Sequence, residues 1–482
     1  MFNPPELKTW INGKPEISEN EDKLLLRDPN TGEILQQSRS SSPEQVERAL
    51  KAATLAHQDA RWYSKSVLER ADTLDNFANE LLKEEQNIAL ADALNSGVPI
   101  SVTKGFASGL SEIVRDVANR IRSRGDSVIV EDSPRRIIKQ RIPWGPAALI
   151  LPWNAPSFMI VKKLAYALAA GATTVIKPSS FSPWSAQYVM QAAHRAGFPQ
   201  GAINLVTGSG SLGRTIVSDP RVRTISMTGS TQTGKQIASS AGANLTRLQL
   251  ELGSNNPAIV CEDANLQLTA DELIKGAVKL SGQWCEAPRR VYVQRNVYEE
   301  LIKQLKEKLV AQKVGSSLED STDIGPVAYA ERKIELESQL QNLIEQGAKV
   351  IRTQIPLLPQ STFFAPTIAY GENLELEEEI FGPILTIIPY NDEANAILLA
   401  NSGARGLAGY VFTEDIEAGR EMALQIEAGE VKINGTSVLD MTDQSEQGFF
   451  ANSGIGGHGD AYVLEFFTGW RIVGTDAEGL PI

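Results

Sequence analysis

The chain has 482 residues, of which 42 % are hydrophobic and 22 % charged, and these fractions are ordinary for a globular protein. Because hydrophobic cores stop growing at about 250–300 residues, a chain of this length is expected to form two or more domains. The 46 basic and 59 acidic side chains give a net charge of −13, which argues against nucleic acid and anionic membranes as partners.

The chain carries only two cysteines, Cys261 and Cys285, which are too few for a disulfide framework or a zinc cluster. We therefore expect free thiols and no bound metal. The N-terminal residues lack the apolar core of a signal peptide. The most apolar stretch, residues 147–172, is interrupted by Lys162 and Lys163, so it does not predict a membrane span. Together these features predict a cytoplasmic protein.

Residues 43–123 have the periodicity of helices. Ser66 is expected to cap one of them, and Asn95-Ser96-Gly97 is expected to end another. One side of the helix after Ser66 should carry Leu68, Leu74, Phe77, Leu81 and Leu82.

Residues 126–142 predict a β-hairpin with apolar arms at 128–130 and 137–138 and a turn at Asp132-Ser133-Pro134. Its basic second arm is expected to be solvated or paired. A hairpin without a core of its own must pack against something else, such as another subunit. The aromatic tail, residues 461–473, is expected to add a strand at such an interface.

From residue 147 onward, short apolar strands alternate with helices, which is typical of βαβ units in a parallel sheet with helices on both faces. A first block of strands is predicted at 147–151, 173–176, 203–206, 222–227 and 248–252, with helices at 156–170, at 183–196 and before the last strand. A second block has strands at 291–293, 349–351, 385–388, 410–412 and 431–433 and helices at 297–310, 330–345 and 393–400. The second block indicates a second α/β domain, from about 252 to 432.

Two residues have the chemistry of a nucleophile and a base. Cys285 lies at a turn between a helical stretch and a strand, where a thiolate would attack a carbonyl carbon. The alternative is a small buried core residue, which fits Cys261 better. Glu251 ends an apolar strand, where burial would raise its pKa, as a general base requires. The alternative is an exposed glutamate at a strand end.

Pro152-Trp153-Asn154 directly follows the first parallel strand. In open parallel sheets, ligands bind beyond the carboxyl ends of the strands. There the Asn154 amide would donate a hydrogen bond to an oxyanion. The alternative is a turn asparagine that satisfies nearby backbone groups.

Two glycine motifs are candidates for phosphate binding. Gly208-x-Gly210-x-x-Gly213 fits a dinucleotide fingerprint, but it follows the third strand instead of the first and lacks the acidic residue expected about twenty positions later. Gly229 and Ser230 lie in a second motif, residues 228–234, which follows a strand and opens a helix whose first amides attract phosphate. Either motif alone is also consistent with an ordinary turn.

Taken in order, these motifs resemble the aldehyde dehydrogenase superfamily over about residues 20–470. The segments that carry the resemblance are Pro152-Trp153-Asn154, Lys177-Pro178-Ser179, Thr228-Gly229-Ser230-Thr231, Glu251-Leu252-Gly253, Gly282-Gln283-x-Cys285, Glu379-Ile380-Phe381-Gly382-Pro383, Gly406-Leu407-Ala408, Asn434-Gly435 and Ser453-Gly454-Ile455-Gly456. The spacing from Glu251 to Cys285 also resembles that of the family.

The resemblance implies an enzyme that oxidises a small-molecule aldehyde to a carboxylic acid with NAD or NADP, through a thiohemiacetal and a thioester on Cys285. Glu251 would activate the water that hydrolyses the thioester, and Asn154 with the Cys285 backbone amide would form the oxyanion hole. Lys177 would contact the adenosine ribose and Glu379 the nicotinamide ribose. The full set of implied cofactor contacts is Pro152, Trp153, Lys177, Ser179, Ser180, Gly229, Ser230, Leu252, Glu379 and Phe381.

The resemblance also implies how the chain is divided. A Rossmann-like cofactor domain would comprise residues 1–123 and 143–250, and a second α/β, catalytic domain would comprise residues 251–432. A small β oligomerisation element would comprise residues 124–142 and 460–482. This element is expected to join a homodimer or homotetramer.

The chain departs from the family pattern in four places. Ser180 stands where the family often has a glutamate that would repel a 2′-phosphate, so NADP is expected to be tolerated. Ser254-Asn255-Asn256 replaces a glycine-rich continuation. Trp284 and Glu286 flank the nucleophile, although Trp284 is also consistent with simple packing. Glu446-Gln447-Gly448-Phe449 replaces Pro-Phe-Gly-Gly near the expected substrate tunnel. The sequence therefore does not identify the aldehyde.

Two other functions remain open from the residues alone. A cysteine-dependent ester hydrolase would need a histidine partner, but His57, His194 and His458 are expected to lie in unrelated segments. A non-catalytic structural relative would have no need of an intact cysteine, glutamate and asparagine. Arg289 or Arg290 is a candidate to pair with a substrate carboxylate, although structural ion pairs are the simpler expectation.

Overall fold

The computed structural model describes residues 2–20, 22–132, 135–356, 358, 360–376, 378–437 and 445–475. Its α-helices are α1 (Pro43–Gln58), α2 (Val67–Leu82), α3 (Glu85–Ser96), α4 (Ile100–Arg124), α5 (Pro156–Ala169), α6 (Trp184–Ala196), α7 (Gly210–Ser218), α8 (Thr231–Gly242), α9 (Leu266–Val278), α10 (Tyr298–Val310), α11 (Ala330–Glu345), α12 (Glu393–Ala400), α13 (Ile416–Ala423) and α14 (Asp460–Val463).

Its strands are β1 (Lys8–Ile11), β2 (Lys14–Ile17), β3 (Lys23–Arg27), β4 (Ile34–Arg39), β5 (Ser127–Asp132), β6 (Arg135–Pro143), β7 (Ala147–Ile150), β8 (Thr174–Lys177), β9 (Ile203–Leu205), β10 (Thr224–Thr228), β11 (Arg247–Glu251), β12 (Asn256–Val260), β13 (Pro288–Gln294), β14 (Lys349–Arg352), β15 (Thr367–Tyr370), β16 (Ile384–Tyr390), β17 (Ala408–Phe412), β18 (Glu430–Ile433), β19 (Gln447–Gly448), β20 (Gly454–Ile455), β21 (Gly457–His458) and β22 (Thr468–Gly474).

The helical segment before the first parallel strand is confirmed as α1–α4. Ser66 caps α2 in a capping box, because its hydroxyl accepts from the Glu69 backbone amide while the Glu69 carboxylate accepts from the Ser66 amide. Gly97 ends α3 in the left-handed conformation, at φ 74°. The apolar side of α2 is narrower than predicted, since Leu68 and Leu82 are 62 % and 45 % exposed.

The first large sheet has the strand order β2-β1-β9-β8-β7-β10-β11-β20. Its five central strands, from β9 to β11, are parallel. Helices α2–α6 contribute to one hydrophobic core beside it, and α1, α7 and α8 contribute to a second. This is the α/β architecture with a Rossmann-like sheet that the strand–helix alternation predicts.

The second large sheet has the order β14-β15-β16-β13-β12-β17-β18, and only β14 runs antiparallel to its neighbour. Helices α9 and α10 belong to one of its cores, and α11–α13 supply the other. Since β11 ends at Glu251 and β12 begins at Asn256, the chain crosses from one sheet to the other in the four residues between them.

The predicted hairpin is confirmed as β5 and β6, and β22 of the tail pairs with β6 to make a separate three-stranded sheet. The basic arm is partnered, because Arg141 lies 4.1 Å from the centre of the Trp470 ring. Ile129 and Ile472 are more than half exposed. The predicted turn residues Ser133 and Pro134 and the tail from residue 476 lie outside the described residues.

Within the described part of the chain, no helix is both long enough and apolar enough to cross a membrane.

Candidate active site

A cavity of about 950 Å³ opens at the carboxyl ends of β7, β8, β10 and β11 and is closed from the other side by segments adjoining the second large sheet. This is where ligands bind in open parallel sheets. Every residue predicted from the sequence for catalysis or cofactor contact lines it: Pro152, Trp153, Asn154, Lys177, Ser179, Ser180, Gly229, Ser230, Glu251, Leu252, Cys285, Glu379 and Phe381.

The loop that carries Cys285 is held in an unusual backbone conformation. Leu280, Ser281 and Gly282 have φ values of 53°, 58° and 77°, in the left-handed region, which is unfavourable for residues other than glycine. The Ser281 hydroxyl donates to the Gly97 carbonyl oxygen at 3.1 Å and accepts from the Gly325 amide at 3.0 Å. These hydrogen bonds link the loop to Gly97 and Gly325 and offset the free-energy cost of its backbone conformation.

Two asparagines fix the loop from the sheets that flank it. The Asn154 amide donates to the Gln283 carbonyl oxygen at 2.8 Å, from the end of β7. The Asn256 amide donates to the Cys285 carbonyl oxygen at 2.8 Å, from the start of β12. Asn154 therefore satisfies a distant backbone group and not a neighbouring one, and it lies beside the cysteine loop.

Cys285 and Glu251 are in direct contact. The Cys285 thiol donates to Glu251 Oε1 across 3.6 Å, while the Thr228 hydroxyl donates to Glu251 Oε2 at 2.9 Å. Cys285 is partly exposed to the cavity, whereas Cys261 is buried and lies outside the cavity lining. The arrangement is that of a nucleophile with a hydrogen-bonded base.

The two groups have shifted proton affinities. Burial raises the pKa of the Cys285 thiol well above its usual value, and the neighbouring charge of Glu251 adds to that effect. Burial also opposes ionisation of Glu251, but the charge and hydrogen bond of His458, followed by the charge of Lys163, leave the pKa of this carboxyl below its usual value. The resting pair is therefore a thiol beside a carboxylate.

His458 is a residue of this site that the sequence interpretation missed. Its Nε2 atom lies 3.6 Å from Glu251 Oε1, so the prediction that all three histidines lie in unrelated segments is wrong for His458. The available signal was its position just after the Ser453–Gly456 segment, whose β20 pairs with β11 beside Glu251. That pairing is a long-range contact, which sequence spacing does not show.

The end of the cavity beyond β8 carries hydroxyls and cations. Ser179 and Ser180 lie there with Lys177 and Arg214, and burial lowers the pKa of Lys177 to about 8. The sequence interpretation missed Arg214. Both glycine motifs border the cavity, because Gly210 and Gly213 line it as well as Gly229 and Ser230. Ser230 is the N-cap of α8 and accepts from the Thr233 amide.

The Glu379 carboxylate lies at the other end of the cavity. It accepts from the Ser254 amide at 3.1 Å, and burial raises its pKa to about 7. A side chain at Gly253 would displace that carboxylate, so the glycine leaves room for it in this position. Phe381 stands edge-on to Trp153, with ring centres 5.3 Å apart.

The polar segment that replaces the glycine-rich continuation has a structural role. Asn255 donates to the Glu378 carbonyl oxygen at 2.6 Å and accepts from the Ile380 amide at 2.9 Å. Asn256, as described above, holds the carbonyl of Cys285. The two asparagines therefore position both the nucleophile loop and the loop of Glu379.

The unusual residues around the nucleophile pack together. Trp284 is buried and also lines the cavity, and Lys279 Nζ lies 3.7 Å from the centre of its ring. The Glu286 carboxylate is buried and pairs with Lys432 at 3.1 Å. It also accepts from Gln447, in the altered segment, at 3.2 Å. Trp284 therefore packs against neighbouring side chains and also lines the cavity.

Arg289 and Arg290 are not available to a substrate. Both are buried and neither lines the cavity. Arg289 donates to the Gly382 carbonyl oxygen at 2.5 Å, and Arg290 donates to the Asn255 carbonyl oxygen at 2.7 Å. The candidate role in substrate pairing is therefore wrong. Their hydrogen bonds go mainly to backbone carbonyl oxygens, and the expected ion pairs are not found among the described residues.

No cluster of three or more His, Cys, Asp or Glu side chains suited to a metal ion occurs among the residues with described positions. Cys261 and Cys285 are both free thiols.

The family model and two sequence relatives that match this chain are all aldehyde dehydrogenases. The model of the aldehyde dehydrogenase family matches residues 17–473. A glutarate-semialdehyde dehydrogenase of Pseudomonas aeruginosa is 32 % identical over 465 residues, which cover 95 % of each chain. An NADP(+) succinate-semialdehyde dehydrogenase of Escherichia coli is 32 % identical over 462 residues, covering 94 % of this chain and 95 % of the relative.

Solved structures agree with the sequence relatives. A betaine aldehyde dehydrogenase of Staphylococcus aureus, crystallised with NAD+, superposes with a TM-score of 0.93 at 28 % identity, covering 98 % of this chain and 95 % of that chain.

Proposed function

The chain belongs to the aldehyde dehydrogenase family, and we propose that Cys285, Glu251 and Asn154 are the residues with which it oxidises an aldehyde to a carboxylic acid. The reaction uses NAD or NADP and passes through a thiohemiacetal and a thioester on a cysteine. The observation that carries the assignment of residues is the 3.6 Å contact between the Cys285 thiol and the Glu251 carboxylate inside the cavity.

In the first step, Cys285 Sγ bonds to the aldehyde carbon and its proton passes to Glu251. The carbonyl oxygen gains the negative charge. Asn154 has one amide hydrogen on the Gln283 carbonyl, which leaves its second hydrogen for this oxygen, together with the Cys285 backbone amide. A lost donor in such an oxyanion hole costs about 3–4 kcal/mol of transition-state stabilisation.

The remaining predicted contacts suit a nicotinamide dinucleotide. When bound, it supplies the acceptor for the hydride that leaves the thiohemiacetal carbon. Gly229, Ser230 and the start of α8 would hold its pyrophosphate, since helix N-termini favour anions. Lys177 would bind the adenosine ribose and Glu379 the nicotinamide ribose.

Before the last step, Glu251 releases the thiol proton to solvent. It then removes a proton from a water molecule whose oxygen bonds to the thioester carbon. The carbon–sulfur bond then breaks, and the proton returns to Cys285 Sγ as the carboxylic acid leaves. Thr228 holds the second oxygen of Glu251, so Oε1 is the oxygen directed at the nucleophile.

We further propose that the enzyme accepts NADP. Ser180 brings no negative charge to the adenosine end of the cavity, and Arg214 brings a positive one. A guanidinium binds a phosphate through two parallel hydrogen bonds. The relative from Escherichia coli is named for NADP(+), which supports the same preference.

The substrate that the cavity favours is an aldehyde with a second, anionic group. Lys162 and Lys279 both line the cavity. Lys279 lies over Trp284, next to the nucleophile, and burial, followed by the charge of Lys432, lowers the pKa of Lys279 to about 8. An anionic ligand would favour its charged form. Two of the relatives are named for semialdehydes of dicarboxylic acids, whereas a quaternary ammonium aldehyde would be repelled.

The division into a cofactor domain, a catalytic domain and an oligomerisation element stays a proposal. The passage between the two large sheets at residues 252–255 supports the first boundary. The exposed Ile129 and Ile472 on the three-stranded sheet support its use in a homodimer or homotetramer.

An ester hydrolase is the less favoured function. His458 does lie at the site, but its ion-pair contact is with Glu251 and not with Cys285. Family membership favours oxidation.

The test is a screen at the absorbance band of reduced nicotinamide, in which aliphatic, aromatic and semialdehyde substrates are crossed with both cofactors. We expect turnover by the wild-type chain. Glu251→Gln should give at most one slow turnover of reduced cofactor and then stop, because it lacks both the acceptor for the thiol proton and the base that hydrolyses the thioester. Ester cleavage without cofactor reduction from any aldehyde would contradict the proposal.

A further inference from the structure

We propose that His458 is a positioning residue that orients the Glu251 carboxylate and sustains it as the base of thioester hydrolysis. The inference rests on the proposed role of Glu251 as the base. His458 Nε2 and the Cys285 thiol approach the same oxygen of Glu251, each at 3.6 Å.

The imidazole is held firmly in this place. His458 is buried, and its ring stands perpendicular to that of Phe449, with ring centres 5.0 Å apart. Its strand β21 pairs with β19 through Gln447. The preceding residue, Gly457, accepts a hydrogen bond from the Gln249 amide at 3.1 Å. Because Gln249 and Glu251 are two residues apart on β11, the strand that carries the base also holds the histidine's backbone.

The carboxylate is clamped from two sides. Thr228 donates to Oε2, and His458 faces Oε1. The ring of His458 therefore fixes the rotation of the carboxylate about its last side-chain bond. Without it, Oε1 would keep only the weak thiol hydrogen bond, and that bond is lost once Cys285 carries an acyl group.

Several charged groups surround this pair. The charges of Lys163 and Lys162 of α5 lower the pKa of Glu251, and Lys163 itself donates to Ser226 and Gln249. Cys285 faces it from the cysteine loop. On the β19 side, the Glu446 carboxylate accepts from the Ala461 amide, near the same turn. Apart from the Cys285 thiol, His458 is the ionisable group among these that lies in direct contact with the Glu251 carboxylate.

The charge of His458 has a defined effect on the base. Burial raises the pKa of Glu251, and the charge and hydrogen bond of His458 act against it more strongly than the charge of Lys163 does. Removing the imidazole therefore leaves less to oppose the effect of burial, and the pKa of Glu251 rises. The carboxylate then takes up a proton at a higher pH and stops serving as a base there.

The experiment measures hydrolysis of the acyl-enzyme against pH in the full-length protein. The chain is first loaded with aldehyde and NAD, the burst of reduced cofactor confirms acylation, and the slower steady phase reports hydrolysis. In the plot of the slow-phase rate against pH, we expect His458→Phe to shift the acidic limb to higher pH by about 1–3 units. This is the range for loss of an opposite charge at this distance. His458→Gln, which keeps an N–H donor without a charge, should move it less.

Three controls make the outcome decisive. His194→Gln changes a histidine that packs on Trp10 outside the cavity and should leave the limb in place. Burst amplitude and thermal unfolding of each variant report folding. Acid limbs that superpose on the wild type in both His458 variants would overturn the proposal. Full hydrolysis by Glu251→Gln would instead show that the base itself is wrongly assigned.

Discussion

The Cys285 thiol donates to Glu251 Oε1 across 3.6 Å, and this contact joins the two large sheets of the molecule at a chemically reactive point. Glu251 is the last residue of β11 in the first sheet, whereas Cys285 lies three residues before β13 in the second. The nucleophile and the base therefore meet only when both sheets are folded and packed together.

Replacing Asn154 by alanine should lower kcat about 10²–10³-fold, because one donor to the developing oxyanion is lost. Steady-state cofactor reduction measures this. Since Asn154 also holds the Gln283 carbonyl, the rate of Cys285 alkylation by iodoacetamide serves as the control for loop displacement. Unchanged kcat with unchanged alkylation would exclude Asn154 from the oxyanion hole.

Alkylation of Cys285 should show a high apparent pKa. Burial and the charge of Glu251 keep it a thiol to a higher pH than an unperturbed cysteine, so the alkylation rate should still be rising above about pH 8.5. Glu251→Gln removes one cause of the shift and should move the profile to lower pH. The labelled peptide is identified by mass spectrometry, because Cys261 is also free. A rate that levels off near neutral pH would contradict the resting thiol.

NADP should bind within about a hundredfold of NAD, a difference of roughly 2.7 kcal/mol at most. Titration calorimetry with each cofactor gives the ratio. Ser180→Glu should weaken NADP far more than NAD, because a carboxylate repels the 2′-phosphate. Arg214→Ala should weaken NADP selectively as well. Equal losses for both cofactors would remove these two residues from the proposed 2′-phosphate site.

Lys279→Gln should raise KM for a semialdehyde with a terminal carboxylate by about tenfold or more, the scale of one charge-assisted hydrogen bond, while KM for an uncharged aldehyde of equal length changes little. The matched control is Lys275→Gln, since Lys275 pairs with Glu272 on the surface and does not line the cavity. Equal changes for both substrates would show that Lys279 acts through the packing of Trp284 instead.

Much of the fold could be predicted from hydrophobic periodicity. Helices α11 and α12 begin and end at the predicted residues, and the five parallel strands of the first sheet lie within a few residues of their predicted bounds. Strand β12, which begins with Asn256, was missed. The Asn256 side chain donates to the Cys285 carbonyl oxygen in the cysteine loop and accepts from the Ala408 amide. Strands β1–β4, β15 and β19–β21 and helices α7, α9, α13 and α14 were also missed.

Residues of the candidate site were predicted where the sequence signal is local, and they were missed where the contact is long-range. Asn154, Glu251 and Cys285 stand next to strand ends or turns, and all of them line the cavity. His458 reaches Glu251 only through pairing of β20 with β11, more than two hundred residues earlier in the chain. Arg214 directly follows the glycine motif that ends at Gly213, but neither that motif nor any signal at Lys279 shows that these side chains face the cavity. Their place there follows from packing that the sequence does not display.

The most direct test of the assignment of Cys285 compares two single-cysteine variants. Cys285→Ala should bind NAD or NADP with unchanged affinity yet form no reduced cofactor from any aldehyde. Cys261→Ala, which changes a buried cysteine outside the cavity, should keep the wild-type turnover. Aldehyde oxidation that persists in Cys285→Ala would contradict the assignment of the nucleophile and the mechanism built on it.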